Sequence, residues 1–230
     1  MINKRLLVSA AALIAIPCSS AMAGDYYTCG ISEKIVELIQ NQLAIVVNLP
    51  DANGGIFKPN RMWSAIVDRQ GLLCSVTKTG DAWPGSRAIA IAKAGTANDF
   101  SNSALSLSTA NLYAPTQPGG SLYGLNNSNP YNPEFLEEGS GHSSVVGGII
   151  TFGGGVALYW GGNVIGGLGV SGDSSCADHA IAYRMRALAG FNHIPAGVAP
   201  GNTDNIIYAP LGTPPTGFEQ PHCFPQDITP

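Results

Sequence analysis

The chain has 230 residues, of which 11 are Lys or Arg and 15 are Asp or Glu, for a formal charge of −4. The charges form no runs, which excludes the electrostatic footprint of a nucleic-acid or anionic-membrane binder. A length of this order, with 45% hydrophobic residues, fits one domain with loop-rich extensions. At the N-terminus, Lys4 and Arg5 precede the apolar run Leu6 to Ile16 and then Ala21-Met22-Ala23. This is the pattern of a secretory signal peptide over residues 1–23, cleaved after Ala23, and it predicts a periplasmic or secreted protein. Pro17 stands where a small residue is expected just ahead of a lipidated cysteine, so Cys18 does not read as a lipid anchor. Residues 139–172 contain no Asp, Glu, Lys or Arg, but their glycines and two-residue alternation suit buried strands, and no membrane span is expected.

Ser32 reads as an N-cap, and Ile35, Leu38, Ile39, Leu43 and Val46 keep helical spacing as far as Pro50. Residues 33–47 are therefore predicted as an amphipathic helix. Asp51 to Asn60 is a loop, Met62 to Val67 a strand, Asp68 to Gly71 a turn, and Leu72 to Thr77 the returning strand. Pro84-Gly85-Ser86 opens a helix whose alanine-rich part, Ala88 to Asn98, permits close approach to a sheet and carries Lys93. The composition between Asn111 and Ser144 shifts to Gly, Pro, Asn, Ser and Tyr, which predicts a loop insertion over about 111–146. The most informative stretch follows, from Gly153 to Ala182. Val156, Leu158 and Trp160 alternate as a strand, Gly161-Gly162-Asn163 supplies a turn, and Val164 to Val170 returns. After Ser171-Gly172 the period becomes helical, so amides at the helix start can face the entry loop and suit an anionic or polar ligand group. The proline-rich segment 195–230 is expected to wrap the surface in extended form.

The second hairpin, its Gly-Val-Ser-Gly loop and Asp178, together with the Ile66 to Gly71 turn and Lys93-Ala94, resemble the haem-binding GlcG/HbpS-like family. That family also forms the C-terminal domain of PduO proteins. The resemblance runs over about residues 31–190, within a domain placed at 24–194. It implies an α+β fold, a central antiparallel sheet with flanking helices in a profilin-like or PAS-like layout. It also implies a small-molecule ligand, with haem as cofactor, and a homo-oligomer. Combined with the loop reading, it nominates Gly154, Gly155, Ser171, Gly172, Asp178, His179, Lys93 and Asp68 as ligand-binding residues. The family's usual acidic residue after that aspartate is His179 here. An imidazole can ligate haem iron, so His179, and after it His142, are the candidate iron ligands; His193 and His222 lie in the C-terminal part. The resemblance itself supplies no axial ligand, and the lack of a CxxCH motif excludes covalent attachment.

Each candidate also has a structural reading. Asp178 suits the positive end of a helix dipole, Asp68 suits a turn, and Lys93 suits a solvated helix face, with an ion-pair or anion role drawn from the resemblance. Gly167 to Gly172 matches GxGxxG, but no parallel β-α-β unit surrounds it and no acidic group follows at the ribose position. Cys29, Cys74, Cys176 and Cys223 remain after cleavage, and an even number in an exported chain predicts two disulfides. Three connectivities are open, of which Cys29–Cys223 with Cys74–Cys176 would pin both extensions. Cys176-x-x-His179 with His222-Cys223 is not a regular zinc spacing. Two other functions stand beside a binding protein. One is an enzyme acting on a small hydroxy or carbonyl compound, with Asp178 or His179 as acid/base. The other is an accessory subunit of a periplasmic oxidation pathway.

Overall fold

The structure is a computed structural model that describes residues 28–57, 60–132, 145–209 and 216–230. The expected signal peptide and His142 lie outside the described residues. Helix α1 (Glu33–Val46) turns Val36, Ile39, Leu43 and Val46 inward. Strands β1 (Trp63–Asp68) and β2 (Leu73–Lys78) form the first hairpin. Helix α2 (Pro84–Asp99) follows. The insertion contributes one helical turn, α3 (Tyr113–Thr116). Strands β3 (Gly155–Trp160) and β4 (Asn163–Ser171) make the second hairpin, and α4 (Ser175–Ala189) closes the domain.

The sheet has the order β2-β1-β4-β3 and is antiparallel throughout. It is an α+β fold with helices on both faces. Two-residue alternation along β1 sorts the layers: Trp63, Ala65 and Val67 pack with Ala90, Ile91 and Ala94 of α2, whereas Ile66 joins the core shared by α1 and α4. The expected close approach of α2 is present. A Cβ on Gly167 or Gly169 would lie 2.0 Å from the carbonyl oxygen of Ala94 or Ala90, so the helix backbone rests directly on β4.

Three expectations change. The disulfides join Cys29 to Cys74 and Cys176 to Cys223, with Cα separations of 5.2 and 6.0 Å, in place of the pairing that would pin both extensions. Asp68 Oδ2 accepts the Gly30 amide at 2.8 Å, which sets Cys29 beside the first hairpin, where Cys74 lies. The 195–230 segment is more than a surface wrap. Asp204, Ile206, Ile207 and Gln220 are buried, and β5 (Tyr208–Ala209) pairs in parallel with β6 (Gln220–Pro221). Arg186 Nη2 of α4 meets Asp204 Oδ1 at 2.6 Å with both side chains buried, and this ion pair holds the segment against the domain. The described part of the insertion is likewise not all open loop, because Asn111, Leu112 and Thr116 are buried. Among the described residues, no helix is long and apolar enough to cross a membrane.

Candidate functional site

The corner where β4 passes into α4 is built around one carboxylate. Ser174 caps the helix by accepting the Ala177 amide, which places Asp178 in the first turn. Asp178 Oδ1 accepts the amides of Gly172 (3.1 Å) and Asp173 (3.0 Å), and Oδ2 accepts Lys93 Nζ at 2.7 Å. Lys93 Nζ donates also to the Val170 carbonyl, 3.1 Å away. The loop amides that the sequence reading offers to a ligand are thus occupied by the chain's own aspartate. Burial pushes Asp178 up to about 6, against the pull of Lys93, and lowers Lys93. The solvated reading of Lys93 gives way to its ion-pair reading: its side chain is wholly buried and meets Asp178 of α4.

Gly154 and Gly155 are packing positions. A Cβ on Gly154 would lie 2.6 Å from Lys93 Nζ, and one on Gly155 would lie 2.5 Å from the Lys93 carbonyl oxygen. The Gly155 amide donates to Thr109 Oγ1 and the Gly153 amide to Gln220 Oε1, so the hairpin entry is closed by the residues just ahead of the insertion and by β6. Ser171 is buried at the end of β4, opposite Trp63. Asp68 organises its turn: Oδ1 accepts the Gln70 and Leu72 amides and Oδ2 the Gly30 amide.

His179 lies beneath the C-terminal segment. It is fully buried, and its Nε2 lies 3.0 Å from the donating Ile206 amide and 3.1 Å from Asn205 Oδ1. Burial lowers it to about 4, so the ring is neutral at pH 7. His193 is exposed, and His222 stacks on Tyr208 with ring centroids 4.1 Å apart. Asp178 and His179 are both buried, and neither lines any of the three cavities described below.

The cavity at this corner lies on the other side of Gly172. It measures about 300 Å³ and is lined by Phe57, Arg61, Asp81, Trp83 and Pro84, with Gly172 as part of its wall. A Cβ on Gly172 would sit 2.5 Å from the Arg61 carbonyl oxygen and 2.7 Å from Met62 Sδ, so the loop passes here only as glycine. Asp173 Oδ1 and Oδ2 accept the amides of Ile56 (3.1 Å) and Phe57 (2.9 Å) and thereby fix Phe57 at the rim. Trp83 precedes the first turn of α2, and its carbonyl accepts Trp63 Nε1 at 2.9 Å. Trp83 is 60% exposed and Phe57 55%, and their rings meet edge to face at 6.3 Å. Of the nominated residues only Gly172 reaches this cavity; Phe57, Arg61, Asp81 and Trp83 escaped the sequence reading. The available signal was a tryptophan and an aspartate just ahead of a helix-opening proline.

A protein-family model described as haem degrading protein HbpS-like matches residues 58–187, a span that includes Arg61, Asp81, Trp83, Gly172 and the Lys93–Asp178 pair. The corrinoid adenosyltransferases PduO of Citrobacter freundii and Salmonella typhimurium are each 36% identical over 128 residues, 56% of this chain and 31% of theirs. The chain thus spans about a third of the length of these curated relatives. A crystal structure of a PduOC:haem complex superposes with a TM-score of 0.52 at 26% identity, covering 69% of this chain and 94% of that one. Klebsiella pneumoniae protein ORFY shares the fold, with a TM-score of 0.51 at 22% identity over 74% of this chain and 97% of its own. The segment beyond Ala187 that carries Asp204, Gln220 and Cys223 lies outside the family match.

Proposed function

The chain belongs to the HbpS-like family, and on that premise we propose that it binds haem outside the cytoplasm, in the cavity beside Gly172. The similarity to the PduOC:haem complex, which reaches nearly the full length of that domain, is the observation that carries the reading. The exposed faces of Trp83 and Phe57 suit a planar macrocycle, and the Arg61 guanidinium suits a propionate. Asp81 stands on the same wall, and among the described lining residues Arg61 is the one cation offered to a propionate. A cavity of about 300 Å³ takes one edge of the macrocycle and leaves the rest against the two rings. No histidine is among the described lining residues, and a soft donor, Met62 Sδ, packs behind Gly172. Bound haem would supply a redox-active iron; the protein's residues supply the apolar faces, the cation and the shielding from water.

Titration of the purified protein with hemin tests this. A saturable Soret shift is expected, weakened in Trp83→Ala and in Arg61→Ala and unchanged in His179→Ala. No saturable shift would sink the reading. Two disulfides support an oxidising compartment, as does the N-terminal charge and hydropathy pattern; recovery in the extracytoplasmic fraction checks it. A role in haem and iron handling follows from this location and ligand. Self-association, implied by the family resemblance, is measured by light scattering with and without hemin.

A further inference from the structure

A second cavity, of about 450 Å³, lies on the far face of α2, between that helix and the insertion. One wall is Ala88, Ile89 and Ala92 of α2, and facing them are Ile149 and Ile150. Pro130 and Tyr131 close one side, and the carboxamides of Asn126, Asn127 and Asn129 edge the opening. No Asp, Glu, Lys, Arg or His is among the described lining residues.

The walls are braced independently of any ligand. The Ile150 amide donates to Thr96 Oγ1 of α2 at 3.0 Å, and Thr151 Oγ1 donates to Asn126 Oδ1 at 3.1 Å. Segments 129–132 and 146–148 are joined by two backbone bonds, Gly148 N to Asn129 O and Asn132 N to Val146 O, each 3.1 Å. At Gly148, with φ +76°, a Cβ would lie 2.8 Å from Tyr131 Cδ2 and 3.3 Å from Ala92 Cβ, so the contact among the three needs glycine. Ile89, Ile149 and Ile150 nevertheless remain only half-buried, in a concave surface. A fixed apolar concavity with a few convergent polar groups is the form of a small-molecule site.

The geometry points to a second binding site, built by the insertion, for a neutral and largely apolar small molecule whose body packs on the isoleucines and whose polar end meets the asparagine carboxamides. With no cation among the described lining residues, a carboxylate or sulfonate would lose its hydration without gaining a partner. This chemistry differs from that of the Arg61 cavity, so the proposal does not depend on haem binding.

N-phenyl-1-naphthylamine, a neutral fluorophore, and its anionic relative 8-anilino-1-naphthalenesulfonate separate these demands. The neutral probe is expected to bind saturably, one per chain, and the sulfonate about tenfold or more weakly. Ala88→Trp, at a half-buried wall position, should remove the neutral probe by filling the space. Asn127→Asp, at an exposed rim position, should weaken it about tenfold without threatening the fold. Trp83→Ala, and Leu188→Asp on the apolar groove beside Leu49 and Arg184, should leave it unchanged, and hemin should not displace it. Failure to saturate, equal binding of the sulfonate, or loss in Trp83→Ala or Leu188→Asp would overturn the proposal. So would full binding retained in Asn127→Asp and in a folded Ala88→Trp. Retained hemin titration in the wall variants keeps this result distinct from the haem reading.

Discussion

Lys93 Nζ and Asp178 Oδ2 lie 2.7 Å apart with both side chains out of solvent, and through them α2, the end of β4 and the start of α4 are fixed to one another. Breaking such a pair from one side leaves an uncompensated charge. Lys93→Met is expected to cost about 3–5 kcal/mol at neutral pH. Lys93→Met/Asp178→Asn should recover a good part of it, because an asparagine oxygen still accepts the Gly172 and Asp173 amides. Chemical denaturation of the three proteins measures this, and a double variant no more stable than Lys93→Met would refute the role of the charge.

His179 gives the fold an acid-sensitive joint. Its folded value is depressed to about 4 from the ordinary 6.5, so the unfolded chain binds more protons between these limits. Its contribution is fully present above about 6.5 and is lost as pH falls toward 4, for a total of about 3 kcal/mol. Asp178, raised to about 6 from 3.8, works in the opposite sense over its own window, because there the folded chain binds more protons. The measurable quantity is therefore the difference between wild type and His179→Gln as a function of pH. It should narrow as the pH is lowered from 7 to 4, and a pH-independent difference would exclude this account.

The Cys176–Cys223 bond staples the C-terminal segment over the corner, where Gln220 takes the Gly153 amide and the Ile206 amide reaches His179. Cys223→Ser should lower stability by about 2–4 kcal/mol. It should also speed amide exchange at Ile206 and Gln220 while leaving the first hairpin protected. Non-reducing peptide mapping of the wild type should yield the 29–74 and 176–223 links; a 29–223 link would contradict the fold.

Gly169 has no room for a methyl group, since its Cβ would lie 2.0 Å from the Ala90 carbonyl oxygen. Gly169→Ala must push α2 off the sheet. The expected loss is about 1–3 kcal/mol or more, read as a lower melting temperature. Gly161→Ala, at a position with open space around it but φ +57°, should cost about 1–2 kcal/mol through backbone strain alone. Equal effects of the two would remove the argument from close packing.

The sequence alone determined the two hairpins, the helices α1, α2 and α4 and their order along the chain, because apolar periodicity and turn glycines are local signals. Val156, Leu158 and Trp160 alternate, Gly161-Gly162-Asn163 turns, and Ala177, Ala180, Ile181 and Met185 repeat helically whatever lies around them. It also brought attention to the loop at Gly172, one wall of the cavity. Only the tertiary structure decided what that loop faces. Asp178 turns back onto the loop's amides, Lys93 arrives from a helix 85 residues away in sequence, and Gln220 and Asn205 cover the hairpin entry and His179 from beyond the family match. Cysteine pairing was undecided for the same reason. Four thiols in sequence carry no distances, and the two links follow from Asp68 holding Gly30 beside the first hairpin and from the C-terminal segment lying on α4.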